Sequence, residues 1–310
     1  MKKIICVALA AALASAPGAF AEESAEGKWN SSIEFAVGFS QTGFFNWSAG
    51  GYNSLSLATG IDAKASYAKK LMNWNNRLQL NYGFLWTADK SNLLQKSTDR
   101  IYLESKFSYK TAKESKWSYS ASFDFRTQFS DSKDKYVQNE EGKWDGTLKS
   151  SFLSPGYTNI ALGMDWVPTK WFDMNIAPLT GGFTLCTVES LKSSYGMKLR
   201  DTDDPSLGYR SSLFQFGAQI KANARIVVND NLKYETQVVL FTDYLNKPFA
   251  WNRVNWDNKI SFQAGRFFKV ALNTWFIYDP IVEIDGVRSK AQFKEFFSVN
   301  FTYTIAPKKK

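Results

Sequence analysis

Long stretches of this chain alternate apolar and polar residues with a period of two. No other feature restricts its possible folds as much. Leu78, Leu80, Tyr82, Phe84 and Trp86 are interleaved with Gln79, Asn81 and Gly83. Trp117, Tyr119, Ala121, Phe123 and Phe125 alternate with Ser118, Ser120, Ser122 and Asp124. From Phe214 to Ile226 the same rhythm sets Phe216, Ala218 and Ile220 against Gln215, Gln219, Lys221 and Arg225. An extended backbone sends successive side chains to opposite faces, so each run has one apolar and one polar face. Soluble strands average about five or six residues, whereas tilted membrane strands need about nine to eleven. These runs have the second length.

Twelve such runs are predicted, at 29–40, 54–68, 75–87, 98–110, 116–130, 157–167, 171–184, 210–228, 232–244, 252–266, 269–279 and 290–306. The two weakest are 171–184, broken by Pro178 and Gly181-Gly182, and the short 269–279. Short connections near 69–74, 111–115, 168–170, 229–231 and 267–268 alternate with mostly longer ones. That asymmetry, with an even strand number, is expected of an all-β, antiparallel transmembrane β-barrel of about twelve strands. A closed up-and-down meander would place short turns and both chain ends on the periplasmic side. Tyr67 and Trp74, Tyr109 and Trp117, and Trp166 and Trp171 flank the short turns and are expected to form an interfacial girdle. The competing fold is a β-sandwich with an aromatic core, which strands this long and this polar on one face disfavour.

The chain opens with Lys2 and Lys3, an apolar run from Ile4 to Ala16, and Ala19-Phe20-Ala21. This predicts a signal peptide over residues 1–21, cleaved after Ala21, and a single outer-membrane domain over 22–310. The alternative is an uncleaved anchor. No later run of eighteen apolar residues exists, so a helical membrane protein is excluded. Cys6 would leave with the leader, and Cys186, the one remaining cysteine, has no intramolecular partner; it is expected as a small wall residue.

The chain has no histidine. Ser-His-Asp triads, Cys-His pairs and His-metal sites are therefore impossible. With no G-x-S-x-G element either, no enzyme activity, cofactor or metal is expected. Net charge is +9, falling to +7 once Lys2 and Lys3 leave, with Lys308, Lys309 and Lys310 as a solvated tail. The excess charge suits anionic lipid or an anionic solute; no nucleic-acid-binding pattern accompanies it, and outer-membrane lipid is the expected partner. Asp201, Asp203 and Asp204 offer carboxylates for Ca²⁺ but lack the glycine and glutamate of an EF-hand, and a solvated acidic loop fits them better.

If the apolar parity faces lipid, the other lines the lumen. Inward acids are then Glu34, Asp62, Glu104, Asp124, Asp165, Asp173, Glu235 and Asp257. Inward bases are Lys64, Arg77, Arg100, Lys106, Lys110, Arg126, Lys221, Arg225, Lys259 and Lys269. A Lys or Arg on the lipid face at mid-depth would cost about 2–4 kcal/mol, so confinement to one parity fixes the orientation. The near balance predicts charges paired across the interior. Tyr102, Phe241, Trp275 and Phe296 share that parity and predict a narrow or partly plugged lumen.

The stretch Asn46-Trp47-Ser48-Ala49-Gly50-Gly51-Tyr52-Asn53-Ser54-Leu55, with Asn73-Trp74-Asn75-Asn76-Arg77-Leu78 and Tyr82-Gly83, resembles the front half of the domain-of-unknown-function family DUF3078. Gln292-Phe293-Lys294-Glu295-Phe296-Phe297-Ser298-Val299 resembles that family's last strand. The resemblance implies an exported barrel and no established activity. Gly50, Gly51 and Asn53 would permit a tight reversal in the first outer loop, folding Trp47 onto the rim or into the mouth. The expected function is a narrow or gated channel for a small polar or amphipathic solute. The alternative is a plugged structural barrel that presents its loops to a partner.

Overall fold

The computed structural model describes residues 27–42, 54–90, 93–245, 252–265, 267–281, 283–284, 287–288 and 290–305. The predicted leader, Trp47, Gly50, Gly51 and Asn53 of the first-loop motif, and the Lys308–Lys310 tail lie outside them, as does the side chain of Phe296.

In chain order the strands are β1 (Trp29–Thr42), β2 (Ser54–Lys69), β3 (Met72–Thr87), β4 (Leu94–Lys110), β5 (Trp117–Thr127), β6 (Ser132–Gln138), β7 (Trp144–Ser150) and β8 (Gly156–Thr169). They continue as β9 (Phe172–Leu185), β10 (Ser212–Val227), β11 (Leu232–Asp243), β12 (Asn252–Ala264), β13 (Phe268–Tyr278), β14 (Glu283–Ile284), β15 (Val287–Arg288) and β16 (Ala291–Ile305). Twelve of them close an antiparallel barrel in the order β1-β2-β3-β4-β5-β8-β9-β10-β11-β12-β13-β16, with β16 back on β1. The twelve predicted runs correspond to these strands one for one. β6–β7 and β14–β15 form separate two-stranded ladders in connections on the long-loop side.

Partner registers show why the period of two is so regular. Glu34 lies opposite Asp62, Lys64 opposite Arg77, Arg77 opposite Glu104 and Glu104 opposite Asp124. Polar parity thus meets polar parity from strand to strand, and one face of the wall stays polar. On the other face Ile33, Leu57, Leu78, Leu103, Ile160, Phe214, Ile220, Leu240 and Ile260 are exposed. Such a belt is stable only against hydrocarbon. At the short-turn end Trp29 packs on Tyr67 and Trp74, with centroids 5.4 and 5.5 Å apart, and Trp117 stacks on Trp166 at 5.9 Å. The predicted girdle is present, with Trp29 and Tyr119 added to it.

The doubtful run at 171–184 is a full strand. Register shifts between Leu162 and Met164 and between Gly217 and Gln219 open the ladders beside Ala177-Pro178, so proline, which lacks an N–H, sits where the pairing is already broken. Close backbone approach here requires glycine. A Cβ on Gly163 would lie 2.1 Å from Ile176 O, and one on Gly217 1.8 Å from Thr242 O.

Two of the longer connections are folded. Within 128–155, β6 and β7 form a hairpin laced by Lys133–Asp145 (2.8 Å), Lys149–Asp134 (3.3 Å) and Lys143–Glu141 (2.9 Å). The connection 186–211 holds a four-residue helix α1 (Glu189–Lys192), and its Cys186, Leu191 and Met197 form a small core with Leu213 of β10, with Leu148 packed against it. Ser154 Oγ accepts from the backbone N–H of Thr187 and Val188, and Tyr195 Oη donates to Lys149 O at 2.9 Å. Gly196, at φ +74°, abuts Ile281 in the β13–β16 connection, three strands further round the ring. The segment therefore lies across part of the mouth as a lid.

Cys186 is not the wall residue the sequence suggests. It sits at the centre of the lid core with no exposed surface, and burial pushes its thiol up from the usual range. Thiolate is the reactive form, so labelling of folded protein with a thiol reagent is expected to be on the order of a hundredfold slower than in urea. Equal rates would mean the lid core does not form. The acids at 201–204 serve the backbone: Asp201 Oδ1 accepts from Asp203 N at 2.9 Å, and Asp204 Oδ1 from Ser206 N at 3.0 Å.

Candidate functional site: the charged lumen

The inward parity of twelve strands brings the predicted lumen residues together in one bore. Its lower and middle parts are cross-linked by charge. On neighbouring strands Arg77 Nε donates to Asp62 Oδ1 at 2.9 Å, and Arg225 Nε lies 3.3 Å from Glu235 Oε1. Others skip a strand: Lys106 reaches Asp165 at 2.8 Å, from β4 past β5 to β8, and Lys269 reaches Glu34 at 3.6 Å, past β16. The longest is Lys221–Glu104 at 3.2 Å, which joins β10 to β4, four places apart on a ring of twelve. Only a bore narrower than the reach of two side chains permits that contact. The two side chains remain 21% and 18% exposed, so the bridge faces solvent-accessible space.

Neutral amides extend the network. Asn159 Nδ2 donates to Asp124 Oδ2 at 2.7 Å, Asn223 Nδ2 to Asp173 Oδ2 at 2.8 Å, and Asn175 Nδ2 to Asp165 Oδ1 at 2.7 Å. Lys259 stands opposite Glu235, and Lys64 lies beside Arg77 and near Asp62, neither in a direct ion pair among the described residues.

Toward the long-loop end the bore holds a cavity of about 490 Å³. Its lining runs from Asn81, Arg100, Arg126 and Tyr157 on one side to Trp275 and Ile277 on the opposite wall. The guanidinium of Arg100 lies over the Tyr102 ring at 4.8 Å and that of Arg126 over Tyr157 at 4.9 Å. Asp99, in the same lining, is already taken. It accepts from Lys96 Nζ at 2.8 Å, from Phe129 N at 2.7 Å and from Ser130 N at 3.0 Å.

The expected pairing across the interior therefore holds in the lower and middle bore and fails at Arg100 and Arg126. Neither has an ion-pair partner among the described residues, and Asp257 on β12 pairs with neither. Alternation cannot show this, because it assigns a face and not a height. Arg253 is a lumen residue missing from the sequence-derived set. It contacts Asp279 at 2.8 Å and donates to Gln215 Oε1 at 2.9 Å. Its parity matches Asp257 and Lys259, and that was the signal that could have found it. Of the first-loop motif only Ser54 and Leu55 are described, as the first residues of β2, paired with Thr87 and Trp86.

Residues 39–132 match the family model for DUF3078, a protein of unknown function, in agreement with the resemblance carried by Trp47 to Gly83. The closing stretch Gln292–Val299 lies outside the matched segment. No curated protein matches the sequence. Among solved structures the chain is similar to the COG4313 outer membrane channel from Pseudomonas putida F1, with 12% identity, a TM-score of 0.42, and coverage of 94% of this chain and 100% of that one. It is also similar to the NanC porin (7% identity, TM-score 0.38, 90% and 99% covered). A third is the translocator domain of autotransporter NalP from Neisseria meningitidis (11% identity, TM-score 0.37, 91% and 89% covered).

Proposed function

We propose that this barrel, which carries the DUF3078 signature in its first strands, is a narrow outer-membrane channel for a small polar solute. The observation that carries this reading is the Lys221–Glu104 contact across the bore. A wide general porin could not bring those two groups together. Both side chains keep some accessible surface, as an open bore requires. The charged lumen supplies a polar path, and the apolar outer belt supplies the reason for a membrane setting. The leader predicted over residues 1–21 and the girdle at the short-turn end favour the outer membrane. The chain's own groups contribute fixed charges and hydrogen-bonding amides along the wall. No chemistry on the solute is proposed.

Planar-bilayer recording of the purified protein tests this. Small discrete openings are expected, and larger ones from the double variant Glu104→Ala/Lys221→Ala, which removes the bridge. Silence from both proteins would overturn the channel reading. A second reading, a closed barrel that presents its outer loops to a partner, is favoured by the folded β6–β7 hairpin and the lid. It predicts silence from both proteins together with stoichiometric copurification of one partner.

A further inference from the structure

We infer that the cavity at the long-loop end is a binding site for a small organic oxyanion, a carboxylate or phosphate on an aromatic or apolar body, held by Arg100 and Arg126. This names the class of solute for the channel proposed above and rests on that reading only for its physiological role. The charge balance is local. Six bases of the bore contact a carboxylate: Arg77, Lys106, Lys221, Arg225, Arg253 and Lys269. Lys64 and Lys259 stand among Asp62, Glu34 and Glu235 low in the bore.

Arg100 and Arg126 instead face a cavity in which no carboxylate bonds them: Asp257, opposite Trp275, acts on both only through its charge, and Asp99 is held by Lys96 and two backbone N–H groups. Arg100 Nε is buried with no hydrogen-bond partner. A guanidinium cannot shed its proton, and one whose buried N–H has no acceptor is costly. The arrangement is complete when an anion occupies the cavity.

The geometry also selects what the anion is attached to. Tyr102 and Tyr157 hold the guanidinium faces, which leaves the N–H edges free for oxygen acceptors in fixed directions. Trp275, Ile277, Pro155 and the Tyr157 ring supply apolar lining beside them. The volume, about 490 Å³, lies in the range of small-ligand pockets. Chloride would satisfy the charge and leave the apolar wall unused.

Calorimetric titration of the detergent-folded protein with benzoate, inorganic phosphate and benzyl alcohol tests the site. Benzoate is expected to bind, phosphate more weakly and benzyl alcohol not measurably. Arg100→Gln/Arg126→Gln is expected to weaken benzoate by on the order of tenfold or more. Lys133→Gln, on the outer hairpin, is expected to leave it unchanged. Heat-dependent migration on denaturing gels reports folding. Should the glutamine pair fail to fold, Arg100→Lys/Arg126→Lys keeps the charge but loses the fork, and is expected to bind benzoate less well than the parent. No benzoate binding, equal binding of benzyl alcohol, phosphate bound more tightly than benzoate, or parental affinity in a folded double variant would each overturn the proposal. Benzoate binding by a protein silent in bilayers would sink the channel and leave the site standing.

Discussion

Lys221→Met is expected to cost the folded barrel about 3 kcal/mol, and Glu104→Gln in the same chain is expected to restore most of it. Removing the ammonium leaves the Glu104 carboxylate in the bore with no ion-pair partner. Asp124, directly opposite Glu104 on β5, then adds repulsion that Lys221 had offset. Neutralising both partners removes the stranded charge as well as the attraction, so the double variant is expected nearer the parent than either single one. Urea unfolding in lipid vesicles, followed by tryptophan fluorescence, gives all four corners of the cycle. Additive losses would show that the two side chains do not meet in the folded protein.

Gly217→Ala is expected to be about as harmful, near 3 kcal/mol, whereas Gly181→Ala, on the neighbouring strand, is expected to change little. The added Cβ at 217 would fall 1.8 Å from Thr242 O and 2.8 Å from Thr242 C, which belong to the partner backbone and cannot rotate away. At 181 the nearest atom is Phe214 Cε2 at 3.6 Å, an ordinary contact with an aromatic edge. Neither glycine has a positive φ, so the contrast isolates crowding from backbone strain. Equal effects at the two positions would mean that β10 and β11 do not approach as closely at Gly217 and Thr242 as the structure places them.

The fold was legible because each barrel strand separates two solvents, and a period of two records that separation residue by residue. Strands β3, β5 and β10 could be read this way with no knowledge of their partners. Pro178 and Gly181-Gly182 weakened the prediction for β9, because bulges lie in the ladders between strands and a single strand's sequence shows only the residues they tolerate. The hairpin β6–β7 and the lid were missed for a related reason. Their short elements pack against the rim, and cores such as Cys186 with Leu191, Met197 and Leu213 gather residues separated by polar chain.

For the lumen set a face was legible, since the registers set polar parity against polar parity from Glu34–Asp62 round to Glu104–Asp124. Which charges are spent on one another was not. Lys221 and Glu104 stand 117 residues apart in the chain, and only ring closure shows that they meet. The same closure leaves Arg100 and Arg126 facing a cavity, although their sequence surroundings look no different from those of Arg77.

The ladder that completes the ring is short. Among the described residues β1 joins β16 through five pairs, Ile33–Ile305 to Val37–Phe301, against fourteen between β1 and β2. Its members come from opposite ends of the polypeptide, so loop-closure entropy makes it the last rung to form. Until then the nascent sheet carries two bare edges, each able to accept a foreign strand. Biogenesis of this molecule therefore depends on something shielding those edges while the seam zips. A proline substituted within 302–305, which pair with β1 alone, would stall insertion at that stage and leave the hairpins already made intact.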